Sequence, residues 1–175
     1  MKMYTLCRFS LLIFCFIIGT TACNKDEDDP STSELLVGVW TTTNVTISGM
    51  VGSQSITDYL VNDIGLTPVE ANTFFAGIAA MLEPEVTGVL TLKADNTYVS
   101  NFAGGMDSGT WELSADEKTL ILYEGADVIN AAINSISSTT MVATLTDTFA
   151  FDLDNMPGTP DEDVLIEARI TYSKS

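Results

Sequence analysis

The sequence has no histidine, and its three cysteines, Cys7, Cys15 and Cys23, all fall within the first 23 of 175 residues. Histidine general bases, Ser-His-Asp triads, Cys-His dyads and the usual zinc sites are therefore excluded from everything behind residue 23. Positive charge is nearly as scarce, with seven Lys and Arg against 24 Asp and Glu. A chain this acidic is repelled by phosphate polymers, and without a basic patch nucleic acid is excluded as a partner. Long apolar runs are missing too. The most apolar stretch, Phe9–Gly19, is shorter than the roughly 20 residues that a bilayer-spanning helix needs.

What is present begins with an address. Lys2 and Arg8, then "FSLLIFCFIIG", then the small residues "TTA" have the three-part layout of a secretory signal over residues 1–22. Its removal takes Cys7, Cys15 and two of the seven basic residues, leaving 153 residues with a net charge of −19. That length suits one domain with a sizeable core. The stretch "NKDEDDPSTS" is expected to be an extended tether, because its like charges repel.

"TTAC" resembles the lipobox of bacterial lipoproteins, in which the signal is cut just before a cysteine that is then acylated. Thr20 stands where the common pattern prefers leucine. "NKDEDD" is similar to the acidic tag by which some Gram-negative bacteria send lipoproteins to the outer face of the outer membrane. The resemblance implies a lipid anchor at Cys23, facing the cell exterior, since two or more acyl chains hold a protein firmly without insertion. The expected organisation is signal 1–22, lipidated cysteine and tether 23–33, and one domain over 34–175.

Within that domain, "LLVGVWTTTNVTISGM" reads as a strand, with Val37, Val39, Val45 and Ile47 in period two. "SITDYLVNDIG" reads as a short helix ending at Gly65. "TPVEANTFFAGIAAMLEP" reads as a second, with a Thr67/Glu70 capping box, Pro68 at its first position and Pro84 closing it. Phe74, Ile78 and Leu82, with Ala71, Phe75 and Met81 beside them, give it one broad apolar face. Short strands then recur with turns between them: "GVLTLKA", "TYVSNFA", "SGTWELS", "TLILYEG", "TMVATLTDTFAFDLD" and "VLIEARITYS". "ADVINAAINSIS" suits either a helix or a strand. With that piece counted, eight strands without crossover helices predict a mainly β fold, an eight-stranded antiparallel barrel with a short helical pair between strands 1 and 2 placed to cap one mouth.

"GVW", with Gly38 and Trp40, matches the Gly-x-Trp signature of lipocalin-like barrels. "LTLKADNTY" and "SGTWELSADEKTLIL" are similar to the central hairpins of short lipocalin-like bacterial lipoproteins. The resemblance runs from Leu35 to the end. It implies a basic last-strand residue packed over Trp40, for which Arg169 is the candidate. The helical pair also resembles the portal lid of fatty-acid-binding proteins. Their Arg-x-Tyr carboxylate clamp is one residue longer here, "RITY", which puts Arg169 and Tyr172 on opposite faces.

If the barrel holds an apolar ligand, its wall is expected from Phe74, Phe75 and Met81 on the lid and from Tyr98, Phe102, Trp111 and Tyr172 on the strands. Each of these also fits a plain core role. Met50, Met106 and Met141 suit either an adaptable pocket or packing gaps. The acidic loop "DLDNMPGTPDED" departs from calcium-loop spacing at Met156 and Pro157, so no metal is expected. No carboxylate sits in a catalytic motif, and neither an enzyme nor a cofactor is expected. The predicted function is a lipid-anchored, monomeric barrel binding a small hydrophobic or amphipathic molecule. The alternative is a filled barrel contacting a protein or glycan through its loops.

Overall fold

The computed structural model describes residues 29–153 and 161–175. The signal-like segment 1–22, Cys23 and the acid run to residue 28 lie outside them, as do residues 154–160 of the acidic loop. No described helix is long and apolar enough to cross a membrane.

A short helix α1 (Thr32–Leu36) precedes β1 (Gly38–Val51), which turns into the two-residue β2 (Gln54–Ser55) and then into α2 (Ile56–Asn62) and α3 (Pro68–Val86). The rest is a meander: β3 (Val89–Leu92), β4 (Thr97–Ser100), β5 (Asp107–Leu113), β6 (Thr119–Glu124), β7 (Asp127–Ile136), β8 (Thr140–Phe151) and β9 (Glu162–Lys174). From β3 to β9 each strand pairs antiparallel with the next, β3 pairs with β1, and β9 returns to β1 from Trp40↔Lys174 to Val51↔Val164. The eight longer strands thus close into a mainly β, antiparallel barrel, with the helical pair between its first and second strands. The ambiguous 126–137 stretch is strand: Ala131 and Ile133 alternate inward, between hairpin turns at both ends.

Local chemistry sets these boundaries. Thr67 and Glu70 cap α3 reciprocally, Thr67 N–H donating to Glu70 Oε2 at 2.9 Å and Glu70 N–H to Thr67 Oγ1 at 3.3 Å. Pro84 does not close the helix, which runs on to Val86. Proline here removes only the bond to the carbonyl four residues back, and the last turn survives that loss. Thr32 and Ser33, expected in the extended segment, belong to α1, which Ser31 and Glu34 cap in the same reciprocal way.

Two packed regions fill the molecule. The barrel core gathers Trp40, Leu90, Leu92, Tyr98, Trp111 and Leu120 with others, and α1 plugs its lower end with the fully buried Leu36. At the upper end the inner faces of α2 and α3 sit on β1 and β9, burying Ile56, Leu60, Ala71 and Ile78 against Val164 and Ile166. Gly49 permits this seat, because a Cβ there would lie 3.2 Å from both Phe75 and Ile166.

The lid leaves one side open. β7 and β8 pair only from Ala131↔Leu145 to Ile136↔Met141. Above that point residues 127–130 pair with β6 and residues 146–151 with β9, and no described residue bridges the two strands. The carboxyl end of α3 overlies this gap.

Candidate functional site

The gap leads inward. A cavity of about 80 Å³ lies inside the barrel, walled by Phe102, Met141, Ile170 and Tyr172, with Ala131 and Ala143 on the inner faces of β7 and β8. It exists because those two positions carry alanine where a longer side chain would fill the space. Outside it lies a groove of about 630 Å³ between Leu82, Glu85 and Val86 of α3, residues 128–130 of β7, and Leu145, Asp147 and Phe149 of β8. Glu85, Val86, Ile129 and Leu145 line both spaces, so the groove adjoins the cavity. Together they fall within the range of roughly 300–1,000 Å³ found for ligand sites.

Tyr172 and Glu85 are the two residues with polar side-chain groups that line the inner cavity, Tyr172 deep in the barrel and Glu85 where the cavity meets the groove. Tyr172 is only 5% exposed, and its hydroxyl makes no hydrogen bond to a described residue. Burial pushes its phenol well above the ordinary tyrosine value, because the anion would lose its hydration. Acids surround the mouth. Asp147 shares the inward phase of Leu145 and Phe149, and Glu85 faces the groove from α3. Asp107, Glu124 and Asp127 stand at the strand ends beside it. Lost hydration raises the Glu124 carboxyl first, and the neighbouring Asp107 and Asp127 charges raise it further. Among the described residues, no three acids lie close enough to hold a metal ion.

Of the residues expected to line the pocket, Phe102 and Tyr172 do. Tyr98 and Trp111 are buried but fill the core below the cavity. Tyr98 lies against Gly109, where a Cβ would come within 3.0 Å of its ring, and Trp111 Nε1–H donates to the Lys93 carbonyl at 3.0 Å. Phe75 packs between lid and barrel. Phe74 and Met81 are exposed, Met81 at 75%, because the seated stripe of α3 is Ala71, Phe75, Ile78 and Leu82. Glu85, Ile129, Leu145 and Asp147 were not among the expected residues. Small or polar residues on the inward phase of β7 and β8 were the available sign of the opening.

The lower end corrects a second expectation. Lys174, not Arg169, packs over Trp40, with Nζ 5.0 Å from the ring centroid. It also donates to the Leu35 carbonyl at 2.6 Å, while Trp40 Nε1–H donates to Leu36 at 2.7 Å. These two donors satisfy carbonyls that the end of α1 leaves open. Gly38 makes room for them, since a Cβ there would lie 2.2 Å from Lys174 Cε. The β9 side chains at 164, 166, 168, 170 and 172 are buried, so Arg169 points outward and is exposed.

No protein-family model matches the sequence, and no curated protein matches it. Among solved structures the chain is similar to a DUF4847 family protein from Bacteroides vulgatus ATCC 8482, determined by crystallography at 1.00 Å resolution. The two share 11% identity, over 81% of this chain and 94% of that one, with a TM-score of 0.35. At that score the likeness assigns this chain neither a family nor a function.

Proposed function

We propose that this protein is a surface-tethered binding protein that takes a small amphipathic molecule into the side opening of its barrel. The observation that carries the reading is the largely apolar cavity behind the groove, with the Tyr172 hydroxyl, which has no hydrogen-bond partner among the described residues, in its wall. The cavity alone holds only a few heavy atoms. The apolar end of the ligand therefore enters it while the larger part lies along Leu82, Val86, Ile129, Leu145 and Phe149. Tyr172 offers one hydrogen bond at the inner end. The signal-like start, Cys23 and the acidic run support an outer-membrane lipid anchor, which would present this opening outside the cell.

Native mass spectrometry after exposure to a mixed lipid and bile-acid extract tests the reading. One ligand mass should be retained, and Ala143→Leu, which fills the cavity, should lose it while remaining folded. A protein that emerges bare from every extract would sink the proposal.

The solvent side of the lid supports a second reading, contact with a macromolecule. Val69 and Met81 of α3, and Met106 of the loop before β5, are each at least 75% exposed and are the side chains that such a partner would cover. Under that reading Met81→Lys abolishes partner capture, whereas the ligand reading leaves retention unchanged in that variant.

A further inference from the structure

We propose that the ligand of the groove is a cationic amphiphile, a molecule with a slender hydrocarbon body and an amine or quaternary ammonium head. This inference rests on the amphiphile-binding reading above and adds the charge of the head.

The groove has apolar walls and two charged side chains, Glu85 from α3 and Asp147 from β8, which approach from opposite sides. Neither forms an ion pair among the described residues. Asp147 accepts its own neighbour's N–H, from Thr148 at 2.7 Å, on one oxygen, leaving the other for the groove. Phe149 stands two residues further along the same face, and an aromatic ring beside a carboxylate suits an organic cation.

The topology removes any counter-candidate. In an antiparallel barrel the turns alternate between ends, so Lys93 at the β3–β4 turn, Lys118 at the β5–β6 turn and Lys174 at the end of β9 all lie at the plugged end. Arg169 points outward from the middle of β9. The open end has only acids among the described residues. A fatty carboxylate would find no cation among the described residues there and would meet Glu85 and Asp147 in the groove, with the Glu124 hairpin at the same end of the barrel. A neutral head would leave the carboxylates without a partner. The cation alone matches both the walls and the rim.

Calorimetry with the purified protein at low ionic strength, below each micelle threshold, compares three twelve-carbon probes: dodecyltrimethylammonium, dodecanoate and dodecyl maltoside. The trimethylammonium probe should bind saturably and on the order of tenfold tighter than the other two, the preference expected of two partly exposed charge contacts. Glu85→Gln with Asp147→Asn should remove that preference and leave maltoside binding intact. Glu112→Gln with Glu117→Gln, equal in charge but at the plugged end, should leave the preference in place. If all three probes bind alike, if dodecanoate binds tighter, or if both double variants act equally, the cationic head is refuted while the binding reading stands. If no probe binds the folded protein, the binding reading itself fails.

Discussion

Gly38, Trp40 and Lys174 form the tightest coupling of sequence to structure in the molecule. The glycine clears a path, the lysine follows it to the Leu35 carbonyl, and its ammonium rests on the indole. Lys174→Met keeps the stem and removes the charged donor. It should cost about 2 kcal/mol, from a hydrogen bond to a charged group and a cation–π contact, measured by urea unfolding. The signature glycine and tryptophan were readable in the sequence, but the partner was not. Thr43 is an extra residue in β1, so Trp40 before it and Val45 after it face the same side despite opposite parity. The lipocalin resemblance pointed to Arg169 instead, which the strand alternation of β9 turns outward.

Tyr172 has a pH consequence at the same scale. Its phenol ionises less readily in the folded state, since burial raises it above the ordinary value near 10. Above about pH 10 the unfolded chain releases a proton that the folded protein keeps. Stability should therefore be unaffected by this group below pH 10 and fall as pH rises beyond it, by up to about 1.4 kcal/mol per pH unit. Tyr172→Phe should flatten that fall by one proton's worth in unfolding curves taken from pH 9 upward. An unchanged slope would show that the phenol is not held protonated.

Elements were legible where a single signal sufficed and blurred where two competed. The cap of α3 and the order of the hairpins followed from Thr67, Pro68, Asn96 and the apolar alternation. The end of α3 did not, because proline as a helix breaker competes with a hydrophobic stripe that continues through Leu82 to Val86. The stripe prevails, and it carries Glu85 and Val86 to the groove. Pro84 then remains a defect, with the Ala80 carbonyl lacking its intrahelical donor. Pro84→Ala should restore that bond and raise stability by about 1 kcal/mol, less than a mid-helix proline costs because the last turn is partly frayed. A loss of stability on that change would mean that proline terminates the ordered helix after all.

The groove illustrates a different limit. A search for large apolar residues finds what fills a small barrel, and Tyr98 and Trp111 are such fillers. The space lies where residues are small, at Ala131 and Ala143, and where the β7–β8 ladder stops. Where a ladder stops is a property of strand geometry, and no residue type marks it.

For the whole molecule, two asymmetries matter. The barrel is plugged at one end by α1 and open at one side of the other, and its lysines gather at the plugged end while its rim is acidic. Composition revealed the charge excess but not its distribution, which depends on which turns share an end. Net charge alone predicts weak attraction of any cation over the surface. A saturable preference located in the groove is what the fold adds.

The most direct test follows the Ile, Leu and Val methyl resonances while dodecyltrimethylammonium is added. Leu82, Val86, Ile129 and Leu145 should shift together and saturate, with Leu92 and Leu113 near the plugged end unmoved. Shifts confined to Val69 and the outer face of α3, or no saturable shifts at all, would contradict a binding site inside the side opening.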